Sequence, residues 1–121
     1  MGEIIMSPSA SNYTWTLKGS LSSTSDSFTI PMDDIKFGVQ IDNGQSYTFF
    51  ERNFIQQNGF RITLIQMYDS AGWKYYRTTP CYGSVSNGNL IIRLEPGFDG
   101  KMADATYSRP TTGLYARIYY A

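Results

Sequence analysis

The chain has 121 residues, a length that suits one domain able to bury its own core without a metal or disulfide staple. Ten basic and ten acidic side chains cancel, which removes the electrostatic footprint of a protein that binds nucleic acid or an anionic membrane. The absence of histidine excludes catalytic and metal arrangements built on imidazole, and a single cysteine, Cys81, excludes an intrachain disulfide and a cysteine-rich zinc site.

Residues 1–11 show little periodicity around Pro8 and read as a flexible or partner-bound arm, leaving residues 12–121 as a single β domain. The opening residues lack the basic and apolar regions of a signal peptide, and no apolar run approaches the length of a membrane span. Synthesis in the cytoplasm and no membrane insertion are therefore expected. Tyr13, Trp15 and Leu17 alternate with Thr14, Thr16 and Lys18, the period of a half-buried strand over residues 12–19. A Ser/Thr-rich loop over residues 20–27 precedes a short strand holding Phe28 and Ile30, which Pro31 ends. Ile35, Phe37, Val39 and Ile41 then mark one face of a further strand. Asp42-Asn43-Gly44 turns it back into residues 45–52, where Tyr47 and Phe49 lie opposite Phe50 and both faces carry apolar weight.

Residues 53–57 have no clear period, and Asn58-Gly59 reads as the hairpin turn that opens the longest strand. There Phe60, Ile62, Leu64, Gln66 and Tyr68 share a face. Asp69-Ser70-Ala71-Gly72 has the composition of a four-residue type I turn, and residues 73–79 form its antiparallel partner, stopped by Pro80. Ser86-Asn87-Gly88 turns residues 81–85 into residues 89–95, with Leu90, Ile92 and Leu94 on one side. Residues 96–100 read as a loop, and residues 101–107 fit a helical turn or a weak strand. In the last strand Leu114, Ala116, Ile118 and Tyr120 face the core, leaving Tyr115, Arg117 and Tyr119 outward. Eight or nine strands with short connections predict an all-β fold, an antiparallel β-sandwich or jelly roll.

Aromatic residues make up 16% of the chain, with ten tyrosines, seven phenylalanines and two tryptophans, and this excess shapes the candidate sites. Trp73 and Tyr75 fall on the same face as Arg77, with Tyr76 on the other. Together with Tyr82 and Asp69 they are candidates to stack on and hydrogen-bond to a sugar ring, the alternative being rings that fill the core or a subunit interface. Tyr115, Arg117 and Tyr119 are residue types enriched at interface hot spots, so a homo-oligomer is expected, with a trimer favoured. Cys81, between Pro80 and Tyr82, reads as a small buried hydrophobe. Carboxylates available for glycosidase chemistry include Glu51, Asp69, Glu95, Asp99 and Asp104, and Glu95, Asp99 and Asp104 with loop carbonyls could supply oxygen ligands for calcium. Most of them sit in or beside turns and match no known ligand spacing. No catalytic residue, metal or cofactor is therefore assigned.

The Ser/Thr/Asn-rich β texture, the Asn-Gly turns, the Trp73 to Tyr76 cluster and the final strand from Gly113 to Ala121 resemble phage virion modules, particularly the receptor-binding heads of tail fibres and baseplate proteins. That resemblance implies a trimeric β-sandwich or jelly-roll head on a virion or other extracellular particle, binding a cell-surface saccharide or protein without catalysis. A structural capsid-decoration or tail protein with its aromatics buried between subunits is the alternative, and a small carboxylate-dependent glycoside hydrolase the second.

Overall fold

The computed structural model describes residues 13–121, so the arm expected at residues 1–11 lies outside the described residues. Among these, ten strands form two antiparallel sheets that face each other, and the expected all-β sandwich is the fold. The first sheet has the order β1-β10-β3-β4, built from β1 (Thr16–Leu21), β10 (Ala116–Tyr120), β3 (Gly38–Asp42) and β4 (Tyr47–Glu51). The second holds β2 (Ser27–Pro31), β5 (Phe60–Ser70), β6 (Trp73–Ser86), β7 (Asn89–Leu94), β8 (Phe98–Lys101) and β9 (Asp104–Pro110).

The period-two pattern chooses the inner faces. Ile30, Val39, Ile41, Leu90, Ile92, Leu94, Leu114, Ala116 and Ile118 meet in one buried cluster, as their alternation predicts. Cys81 is fully buried in the same cluster, in its expected role as a small hydrophobe. The first strand departs from expectation. Its register shifts between Leu17 and Gly19, which inserts a bulge and reverses the parity, so Trp15 and Leu21 are buried while Leu17 is 53% exposed.

Two of the three Asn-Gly pairs do work other than a two-residue hairpin. Asn87-Gly88 is such a hairpin, with φ of 53° and 77° between the paired Ser86 and Asn89. Asn43-Gly44 lies in a four-residue loop in which the Asn43 side-chain oxygen accepts the N–H groups of Gln45 and Ser46 at 2.9 and 2.8 Å. Asn58-Gly59 ends a helix, α1 (Arg52–Asn58), that was not expected: Gly59 takes φ of 62° and donates its N–H to the Ile55 carbonyl. Ile55 is the helix's one fully buried side chain, and seven residues give too short a pattern for a period to appear.

The turn between β5 and β6 also differs. Ser70 pairs with Trp73, so the loop is only Ala71-Gly72, both with positive φ, 51° and 80°. Most of residues 96–100, read as a loop, and residues 101–107, the ambiguous segment, belong to the β8–β9 hairpin, which turns around Met102-Ala103. β7 and β8 lie end to end along one edge of β6. Cys81 pairs with Leu94 and Arg77 with Asp99, so four steps along β6 match five along β7 and β8. The extra residue is accommodated where the Thr78 hydroxyl bonds both the N–H and the carbonyl of Phe98, at 2.9 and 3.2 Å.

An alanine at positive φ carries a steric cost that asparagine bears more easily, and Asn-Gly is the preferred pair for this turn. Ala71→Asn should therefore stabilise the protein by about 0.5–1 kcal/mol. A urea midpoint that does not rise would contradict the two-residue geometry.

Candidate functional site

β5, β6, β8 and β9 run on past the end of the four-stranded sheet, and the inner face of β6 changes character along its length. Thr79 and Cys81 are buried on that face, whereas Trp73, Tyr75 and Arg77, in the same alternation, are exposed or half-buried. Cross-strand pairing sets Tyr68 opposite Tyr75 on one side and Lys101 opposite it on the other, with Asp99 opposite Arg77. Tyr68 and Tyr75 stack at 5.3 Å, and Tyr107 meets Tyr75 edge-on at 5.5 Å. Cations interleave with the rings: Lys101 Nζ lies 3.6 Å from the Trp73 ring centre, Arg77 4.9 Å from Tyr68 and Arg109 4.7 Å from Tyr107. The result is a ladder of rings and positive charges.

Within it, Asp99 accepts from Arg77 at 3.0 Å. That hydrogen bond is the main reason the Arg77 guanidinium is held above its ordinary value. Partial burial, followed by the nearby Asp99 charge, raises the Tyr68 phenol above its ordinary value. Three cations, Lys101, Arg77 and Arg109, meet two carboxylates here: Asp99, opposite Arg77 and Arg109, and Asp104, opposite Lys101. Trp73 remains 51% exposed at the rim.

Of the six residues expected to form one binding surface, the fold unites three: Trp73, Tyr75 and Arg77. Tyr76 lies on the reverse face over Gly100, in edge contact with Phe98 at 6.0 Å. Asp69 is also behind the ladder, paired with Lys74 at 3.2 Å with both side chains over 70% exposed. Tyr82 is further along, its ring between Arg61 and Arg93 at 5.1 and 4.9 Å, and its hydroxyl accepts from Arg93 at 2.6 Å. It lines a cleft of about 440 Å³ with Phe50, Phe54, Phe60 and Arg61, where Phe50 stacks on Phe54 and on Phe60. A Cβ on Gly83 would overlap the Phe60 ring, so the missing side chain lets that ring lie flat at the cleft floor.

The residues expected at an outward interface lie on β10 and just before it. β10 lies inside its sheet, between β1 and β3, so neither of its edges is open. Tyr119 is 7% exposed and packs with Trp15, Phe37, Phe49 and Ala121 on the outer face, a layer that the chain fills with its own rings. Arg117 binds the fully buried Asp42 carboxylate at 2.6 Å. Tyr115 is half-buried, with its hydroxyl 3.5 Å from that of Ser20.

The acids considered for calcium have separate partners: Arg61 for Glu95, Arg77 for Asp99, and the Thr106 N–H and hydroxyl for Asp104. The Thr106 bonds hold the Asp104 carboxyl below the ordinary carboxylate range. Among the described residues no cluster of three metal-ligating side chains occurs. Comparison with protein-family models, with characterised proteins and with solved structures found no match for this chain.

Removing one partner of a buried ion pair leaves an uncompensated charge, so Arg117→Met should cost about 3–5 kcal/mol. Adding Asp42→Asn should recover part of that loss in a urea titration, and a double variant no better than the single one would contradict the pairing. Burial pushes the Cys81 thiol up to about 12. Because that folded value lies above the unfolded one, near 8.5, its contribution to stability is complete below about pH 8.5 and declines as the pH rises towards 12. Iodoacetamide should accordingly label native Cys81 only as fast as the protein opens, with denaturant accelerating the reaction. Rapid labelling of the folded protein would show the thiol to be accessible.

Proposed function

We propose that this chain is a non-enzymatic recognition module that binds an acidic saccharide across the rim of the ring-and-cation ladder, in the setting of a phage-like particle. The observation that carries the reading is Trp73: half exposed where the β5–β6 hairpin outruns the opposite sheet, with Lys101 over its ring. An indole and a tyrosine ring offer flat apolar surface to the C–H face of a pyranose. Lys101 and Arg109 supply donors for its hydroxyl groups and carboxylate. Three cations against Asp99 and Asp104 leave one positive charge in excess, which favours a uronate or another anionic sugar over a neutral one.

The packing of Tyr68, Tyr75 and Tyr107 against one another and against cations of the same chain also supports a second reading, a structural module in which the ladder stiffens the extended lobe. A glycan array separates the two. Acidic saccharides should bind in a salt-sensitive manner, Trp73→Ala should abolish the signal, Lys101→Ala should weaken it about tenfold, and Tyr76→Phe on the reverse face should leave it unchanged. No saccharide bound by the folded protein, or undiminished binding by Trp73→Ala, would sink the saccharide reading.

A further inference from the structure

We infer that the free edge of β4 is a self-association site, at which two copies of this chain pair β4 with β4 antiparallel to form one continuous sheet. A sheet edge presents unpaired N–H and carbonyl groups, and proteins usually blunt it with bulges, charge, proline or a cover. Among the described residues the other edges are managed in these ways. β1 has its bulge and Lys18, β2 ends at Pro31, and β9 carries extra residues of its own in the pairing with β8 and ends in Arg109 and Pro110.

The outer edge of β5 is covered by side chains acting as a strand. The Gln45 amide donates to the Met67 carbonyl and accepts from its N–H, while Ser46 does both for Ile65 and Asn43 adds a donor to the Ile65 carbonyl. β4 has none of these beyond a single charge, Glu51, at its end. Its sequence, Tyr47-Thr48-Phe49-Phe50-Glu51, is aromatic and holds no proline, lysine or bulge.

The direction of its peptide groups follows from the neighbouring bonds. The Arg52 N–H donates to Phe37 of the adjoining segment, and Gly38 exchanges backbone hydrogen bonds with Ala121 on the other side of β3. By alternation, Phe50 and Thr48 address β3, while the N–H and carbonyl groups of Tyr47, Phe49 and Glu51 point out from the sheet. Phe49 is the middle residue of the five, with outward groups, so a twofold axis beside it pairs Phe49 with its own copy and Tyr47 with Glu51 of the partner subunit. That register is self-complementary. It keeps the two Glu51 carboxylates apart and brings each to a tyrosine that is now 50% exposed.

The side chains match the backbone. A groove of about 340 Å³ lined by Phe49, Phe50, Glu51 and Phe54 runs beside this edge, and Phe54 is 48% exposed. Phe49 already belongs to the outer-face aromatic layer, so pairing at the axis would join the two layers into one. The arrangement is an isologous dimer rather than the trimer expected from sequence.

Sedimentation equilibrium on the purified protein tests this, with variants at Tyr47 that spare the core. As the first residue of an edge strand with its N–H outward, position 47 accepts proline. Tyr47→Pro should weaken dimerisation at least about tenfold. Tyr47→Glu, set against the partner's Glu51, should also weaken it, whereas Tyr47→Lys should retain or tighten it. Glu51→Lys combined with Tyr47→Glu should restore it. A monomer at all concentrations up to the solubility limit would overturn the inference. So would dimers indifferent to these charges, which would place the contact elsewhere.

Discussion

The fold depends on one strand being paired along both of its edges. β6, fourteen residues long, has β5 along one side, and shares the other between β7 and β8. Had β7 continued without interruption, the second sheet would be a plain stack of strands matched in length to its partner sheet. The extra residue held at Thr78 lets the edge restart as β8, so the sheet divides into a half that closes the sandwich and a half that extends beyond it. Everything proposed for the ladder follows from that division, because an inner face with no sheet opposite must be covered by its own side chains. Aliphatic residues there would remain wet. Rings with cations over them bury apolar area against each other while keeping charge in water.

The aromatic excess thus resolves into separate uses. One set, Trp15, Phe37, Phe49 and Tyr119, covers the outer face of the four-stranded sheet. A second, Phe50, Phe54 and Phe60, spans from β4 through the helix to β5 at one side of the sandwich. The third is the ladder. From composition these could not be told apart, since any of them satisfies the requirement that an amphipathic ring be half buried.

What the sequence disclosed depended on how local the signal was. Alternation found the inner faces of β7 and β10 because each runs without a bulge, and it failed in β1, where one inserted residue reverses which side chains are buried. The β5–β6 hairpin is more instructive. Reading a four-residue turn at residues 69–72 would set Tyr68 opposite Trp73, while the two-residue loop sets it opposite Tyr75. A slip of two leaves every side chain on its expected face, so the core was legible, but it changes every neighbour, so the ladder was not. Lys101, Tyr107 and Arg109 were hidden for another reason: Met102, Ala103 and Ala105 blur the period of the hairpin that carries them. The helix at residues 52–58 was lost because Asn-Gly serves a helix end as readily as a turn.

The loop of residues 43–46 belongs to the first sheet, yet its side chains complete the hydrogen bonding of β5 in the second. Along this side, then, the two layers are laced through polar bonds of fixed direction, whereas elsewhere they are held mainly by apolar packing, which tolerates small sliding. Shear between the sheets is suppressed at the seam. Opening the sandwich like a book from the opposite side, with the β3–β4 loop as its spine, would leave these directed bonds intact.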